Sequence, residues 1–286
     1  MMHSRINNLK SLDDIERIRK IMTFVWVGYT YALSIIDEFN ILMNTPERDR
    51  MPGLLLFGPS NNGKTAILKQ FLKMHPEFIT KNDEKINIPV IYFRVYKTDE
   101  KSFFTTILDT IGSPYGIQES KSLTVNRAVH LLKKVNVKFI LIDEFHNILN
   151  TANRSQQRHF LTTLKEFANE IKVPIVICGT DEARFAIDSD INVSRRFDKI
   201  ELSPWQLDND YIRLLMSFEK ILPLKENSNL HNQKVAEKIY SMSRGILGET
   251  KTVIDRAAIL AIKSGTEKIS FEILNSIRYN YNDRLD

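Results

Sequence analysis

Leu54-Leu55-Leu56-Phe57-Gly58-Pro59-Ser60-Asn61-Asn62-Gly63-Lys64-Thr65 joins a short apolar run to the pattern GxxxxGK[ST]. The apolar run reads as a buried strand, and Ala66–Met74 reads as the helix that follows it. Between them the glycines permit a tight turn that aims backbone N–H groups inward, and the helix adds the positive end of its dipole. That arrangement binds phosphate. Gly58, Pro59, Ser60, Asn61, Asn62, Gly63, Lys64, Thr65 and Ala66 are the expected nucleotide-contacting residues. Lys64 is placed for the β- and γ-phosphates and the Thr65 hydroxyl for Mg2+.

Working outward, the chain alternates strands and helices. Pro89–Tyr96, Val137–Ile142, Pro174–Gly179 and Asp198–Leu202 read as further strands. Lys101–Ile111, Thr124–Lys134 and Gln156–Glu170 read as helices between them. The continuously apolar strands imply a sheet covered on both faces, hence a three-layer α/β/α sandwich with five parallel strands. Before it, Ser11-Leu12-Asp13-Asp14 reads as a helix start with serine as cap, and Trp26–Met43 as a second helical stretch. After Ser203-Pro204 the pattern turns helical: Asp208–Glu219, His231–Ser241, Gly248–Lys263 and Phe271–Ile277. The expected organisation is an N-terminal helical segment at 1–50 packed on the core, a nucleotide-binding domain at 51–203 and a helical domain at 204–286.

The 286 residues carry 40 Lys and Arg against 35 Asp and Glu, a formal charge of +5. Residues 51–203 hold 21 basic and 17 acidic side chains, so most of the surplus lies in the segment with the phosphate motif. Its densest part is 119–138, where Lys121, Arg127, Lys133, Lys134 and Lys138 face one glutamate. Such a patch either meets nucleic-acid phosphates or forms an ordinary solvated helix face. Cys178 is the single cysteine, which excludes an intramolecular disulfide framework and suits a reducing cytosol. No apolar run is long enough to span a bilayer, and the first twenty residues lack an apolar signal core.

Phosphate chemistry needs an acid to organise the metal. Phe139-Ile140-Leu141-Ile142-Asp143-Glu144 delivers Asp143 to the C-terminal end of a central strand, on the sheet edge that carries the phosphate loop. Asp143 is the expected metal residue and Glu144 the residue that polarises the attacking water. Thr180, just after Pro174–Gly179, either holds that water and senses the γ-phosphate or caps the helix begun by Asp181. Ser194-Arg195-Arg196-Phe197-Asp198 offers an arginine that can stabilise phosphoryl charge from a neighbouring subunit. Arg196 is the expected finger, with Arg195 a second contact or structural; a local ion pair to Asp190 or Asp198 is the alternative. His146 either couples nucleotide state to substrate or makes a loop hydrogen bond. Trp26, Val27 and Tyr29 pack on a base or dock their helix. Cys178 reads as a buried strand residue.

These pieces resemble AAA+ ATPases, and within them the TnsC/TniB-type transposition regulators. The resemblance rests on GPSNNGKT at 58–65, VYKTDEKSFFTTILDTIGSPYG at 95–116 and FILIDEFHNIL at 139–149. It continues through QQRHFLTTLKEFANEIKVPIVICGT at 156–180, SRRFDKIELSPW at 194–205 and IYSMSRGILGETKTVIDRAAILAI at 239–262. It implies an AAA+ core with a C-terminal helical lid, ATP and Mg2+ as cofactors, and assembly on double-stranded DNA as a ring or helical filament. It further implies nucleotide sites at subunit interfaces, with a DDE transposase and a target-selection adaptor as partners in a bacterial cytoplasm. Carried over, Lys64, Thr65, Asp143, Glu144, Thr180 and Arg196 take the roles given above, and Lys97, Thr98, Lys101 and Lys121 approach the DNA backbone. One departure stands out. Where many AAA+ lids place an arginine three residues after a glycine, Gly245 is followed by Gly248, and Gly248 by Lys251. Lys251 is the substitute candidate for a nucleotide contact. The alternatives are an origin-recognition or helicase-loading AAA+ ATPase, expected to carry a winged-helix module after the lid, and a nucleotide switch that binds no DNA.

Overall fold

The computed structural model describes residues 11–79, 86–96, 99–116, 118–147 and 154–277. It divides into two compact units: Thr30–Ser60 with Lys64–Leu202, and residues up to Tyr29 with Asn61–Gly63 and the segment from Ser203 onward.

The first unit is built on strand β1 (Gly53–Phe57). Helix α2 (Thr30–Met43) precedes it and helix α3 (Lys64–Met74) follows the phosphate loop. Then come a short antiparallel pair, β2 (Phe78–Ile79) and β3 (Ile86–Asn87), that the sequence reading did not anticipate. The alternation continues with β4 (Val90–Arg94), α4 (Glu100–Thr110), α5 (Lys121–Lys134), β5 (Phe139–Asp143), α6 (Arg154–Ile171), β6 (Ile175–Gly179), α7 (Asp181–Asp188), α8 (Ile191–Ser194) and β7 (Phe197–Glu201). The five long strands form one sheet in the order β4-β5-β6-β1-β7, and every described pairing in it is parallel.

Strand periodicity sorts the buried side chains onto two faces. Leu55, Phe57, Ile91, Phe93, Ile140, Ile142, Ile175 and Ile177 join Phe103, Phe104, Phe160 and Phe167 in one core. The alternate residues Leu54, Leu56, Phe139, Leu141, Val176 and Cys178 are buried on the other face. There Phe139 packs on Phe71 of α3 at a centroid distance of 5.1 Å, and Phe71 on Phe39 of α2 at 5.4 Å. Burial on both faces makes the three layers the sequence implied.

The register fixes what lies on each edge. Phe57 pairs with Gly179, Arg94 with Asp143, and Ile142 with Ile177. Parallel strands therefore bring the phosphate loop, Arg94, Asp143 and Thr180 to one edge. At the opposite edge Gly53 pairs with Phe197 and donates to the Arg196 carbonyl at 2.9 Å.

The second unit is helical. Helix α1 (Asp14–Met22) packs with α9 (Asn209–Glu219), α10 (Gln233–Ser243), α11 (Leu247–Lys263) and α12 (Phe271–Ser276) around Tyr211, Leu215, Ile239, Val253, Ala257 and Ala261. Asp13, not Ser11, caps α1, its Oδ1 accepting from the Glu16 N–H at 2.8 Å. The stretch expected to be helical from Trp26 begins only at Thr30, because Val25, Val27 and Gly28 disfavour helix. No described helix is long and apolar enough to cross a membrane.

Candidate functional site

Gly58 leaves β1 at φ +147, and a Cβ there would meet the Leu202 carbonyl at 2.3 Å, so only glycine fits the turn. Asn61 (φ 59) and Gly63 (φ 95) hold the two further left-handed positions of the loop. Lys64 is buried, and its ammonium donates to the carbonyls of Gly58 at 2.8 Å and Pro59 at 2.7 Å. Burial pulls its pKa below the ordinary lysine value. Thr65 Oγ1 donates to Asp143 Oδ2 at 2.8 Å. Two motifs 78 residues apart in sequence thus meet at one hydrogen bond.

That oxygen pair fits magnesium. It is an all-oxygen donor set of one hydroxyl and one carboxylate, and Mg2+ takes one or two carboxylates with phosphate and water rather than a full protein cage. Among the described residues no cluster of three His, Cys, Asp or Glu could hold a metal by itself.

Glu144 lies in the left-handed region at φ 57, a conformation that costs energy for a non-glycine residue. Its N–H donates to Asp143 Oδ1 at 3.0 Å, and its carboxylate lies 3.3 Å from His146 Nε2. His146 therefore takes the loop hydrogen-bond role. The Thr180 hydroxyl binds the Glu182 carboxylate rather than capping a backbone N–H of α7. Cys178 is fully buried beside Asp143, and burial drives its thiol well above the ordinary value, so it is no nucleophile.

Two residues of the site escaped the sequence reading. Tyr92 OH donates to Asp143 Oδ2 at 2.8 Å, and Arg94 Nε donates to Tyr92 OH at 2.9 Å while lying 3.6 Å from the same carboxylate oxygen. Burial and the Asp143 charge raise the Tyr92 pKa. The available signal was alternation: Tyr92 and Arg94 are the polar i, i+2 pair in an otherwise apolar strand.

Within the helical unit, the loop tip serves as the cap of α11. Ile246 offers no side-chain cap; instead the Leu247 N–H donates to Asn62 Oδ1 at 3.0 Å and the Gly248 N–H to the Asn61 carbonyl at 2.9 Å. Asn61 Nδ2 donates to Glu249 Oε1 at 2.7 Å. Lys251 is turned elsewhere, onto Asp255 at 2.5 Å and the Ile21 carbonyl at 3.3 Å. An i, i+4 pair holds it there.

Arg196 and Arg195 differ in burial. Arg196 is 8% exposed, and its Nη2 donates to Asn169 Oδ1 at 2.6 Å. Arg195, one residue earlier at the end of α8, is exposed. Of the residues expected on DNA, Lys101 is half-buried in the first turn of α4, and Lys121 opens α5 with its ammonium on the buried Glu100 carboxylate. Lys97 and Thr98 lie outside the described residues.

A family model described as Bacterial TniB protein matches residues 17–207, about two-thirds of the chain. The chain belongs to the TniB family. No curated protein sequence gives a significant match. Among solved structures, the Aeropyrum pernix ORC2 protein in its ADPNP–ADP complexes superposes with a TM-score of 0.65 at 14% identity, covering 90% of this chain and 70% of that one. Cdc6p from Pyrobaculum aerophilum gives 0.63 at 15%, over 92% and 69%. Drosophila ORC bound to DNA gives 0.57 at 13%, over 93% and 65%. The TniB-family chain therefore has the fold of AAA+ ATPases, with a five-stranded parallel sheet, flanking helices and a helical C-terminal region.

Proposed function

We propose that this TniB-family protein is an ATP-dependent, largely sequence-independent regulator of transposition that assembles on double-stranded DNA. In this reading it connects a target-selection adaptor to a DDE transposase in the bacterial cytoplasm, and its ATP hydrolysis dismantles or edits the assembly. The observation that carries the nucleotide part is the hydrogen bond between Thr65 and Asp143 beside the buried Lys64.

The phosphates would lie against the amides of Gly58–Thr65, and Lys64 would exchange two carbonyls for phosphate oxygens. Thr65 and Asp143 would hold Mg2+, which when bound neutralises charge on the phosphates. Glu144 orients the attacking water, and Thr180 lies beside it at the same sheet edge. Leaving His146 is part of the work Glu144 must do before turnover. The finger is Arg195 of another copy. Arg195 caps α8 just before β7, and the five-residue strand separates it from the chain's own phosphate loop by about 15 Å, which favours a neighbour's site.

The TniB family assignment and the likeness to Drosophila ORC bound to DNA support DNA as a partner. Contacts from Lys97, Thr98, Lys101 and Lys121 would be to the backbone and so nearly blind to sequence. The test is imaging of the protein with duplex DNA under ATP, a slowly hydrolysed analogue and no nucleotide, with E144Q alongside. Nucleotide-dependent rings or filaments that persist longer in E144Q are expected. Dispersed monomers in every condition would refute the reading and favour a nucleotide switch.

A further inference from the structure

Asp143 is 1% exposed, so its charge has lost the stabilisation water would give. Two donors and a cation crowd one of its oxygens. Thr65 Oγ1 and Tyr92 OH both donate to Oδ2 at 2.8 Å, and Arg94 Nε stands 3.6 Å away, bridged to it through the Tyr92 hydroxyl. Lys64, the other cation of the site, is turned to the carbonyls of Gly58 and Pro59 instead. Arg94 is thus the cation paired with Asp143 among the described ion pairs. It is not trapped: its side chain is 37% exposed, at the last position of β4.

We propose that Arg94, held through Tyr92, is a stand-in for the metal: it balances the buried Asp143 charge in the metal-free protein and must be displaced when the metal–nucleotide complex binds.

The inference rests on Asp143 as a metal residue and adds a competitor for it. A carboxylate oxygen offers about two good acceptor directions, and here Thr65 and Tyr92 take both while the Arg94 charge stands 3.6 Å away. A divalent ion beside Thr65 and Asp143 meets a like charge at Arg94 and finds the lone pairs of Oδ2 already taken by Tyr92 and Thr65. The ion wins by its greater charge and its bonds to phosphate, but only above a higher free concentration. Arg94 and Tyr92 are therefore positioning residues that set the threshold for metal, not residues that touch the reacting atoms. A purely structural role predicts the opposite sign, since loosening Asp143 would weaken metal binding.

The sign is the test. A fluorescent ADP analogue, which lacks a γ-phosphate to compete for Arg94, is titrated with Mg2+ against wild type, R94Q, R94K and Y92F. R94Q removes the charge at similar size and should lower the half-saturating Mg2+ about three- to tenfold, the range expected for a partly exposed cation near a buried site. R94K keeps the charge and should stay within about twofold of wild type. Y92F removes the bridge and should shift in the R94Q direction by less. An unchanged or raised half-saturation in R94Q, with melting temperature preserved, overturns the inference. If wild type itself shows no Mg2+-dependent binding, the reading of the site falls first; binding in wild type without a shift in R94Q sinks the stand-in alone.

Discussion

Glu267→Gln tests the ion pair that anchors α1 in the helical unit. Arg17 is fully buried and donates to Glu267 Oε2 at 2.7 Å, to Glu267 Oε1 at 2.8 Å, to Asp14 at 2.7 Å and to the Pro223 carbonyl at 3.1 Å. The bidentate pair draws the Glu267 carboxyl from its ordinary 4.5 to about 2. Taken at face value, that depression is worth about 3 kcal/mol at neutral pH. Glu267 is 14% exposed and Asp14 stays in place, so about 2 kcal/mol is the realistic loss. For a unit of this size that lowers Tm by about 5–10 °C. Trp26 and Trp205 are the only tryptophans and both belong to the helical unit, so their fluorescence reports its unfolding selectively. A depressed carboxylate stabilises fully above its unfolded value and loses that contribution as pH falls through its folded one. Wild type should therefore lose about 1–2 kcal/mol from this group between pH 5 and pH 3 that the variant never had. A variant melting within about 2 °C of wild type, with the same pH slope, would refute the reasoning.

Two further substitutions separate neighbours in the sequence. Arg195→Ala should keep wild-type melting and ATP affinity yet cut turnover of the DNA-bound assembly by about a hundredfold or more; Arg196→Ala should instead cost about 1–3 kcal/mol of stability by emptying a buried site beside Asn169. Equal turnover losses at unchanged stability would return the finger to Arg196. Gly248→Ala would place a Cβ 2.1 Å from Asn61 Oδ1, forcing that side chain off Glu249 and disturbing the cap of α11. Nucleotide affinity by equilibrium binding should fall about three- to tenfold, the worth of one hydrogen bond; unchanged affinity would disconnect the asparagines from nucleotide binding.

How far the sequence reached follows from how local each signal is. The phosphate loop and the β5 acid pair were legible because each motif sits inside one strand–turn unit, where hydrophobic period and glycine placement suffice. The five strands were legible for the same reason, and so was their single ligand edge, since parallel strands joined by helices share one. What the sequence left open needed either a local rotation or a distant partner. Arg195 and Arg196 are adjacent, and only the short helix Ile191–Ser194 decides which turns inward. Lys251, a candidate nucleotide contact by its spacing from Gly248, pairs with Asp255 one helical turn on. The Tyr92–Arg94 pair depends on β4 lying beside β5 in register Arg94 to Asp143, and Arg17 meets Glu267 across 250 residues. Asn61 and Asn62 show the cost of reading a motif as one function. Their place in GxxxxGK[ST] predicts phosphate contact, but their amides serve α11, a helix 185 residues later whose first N–H groups have no cap of their own.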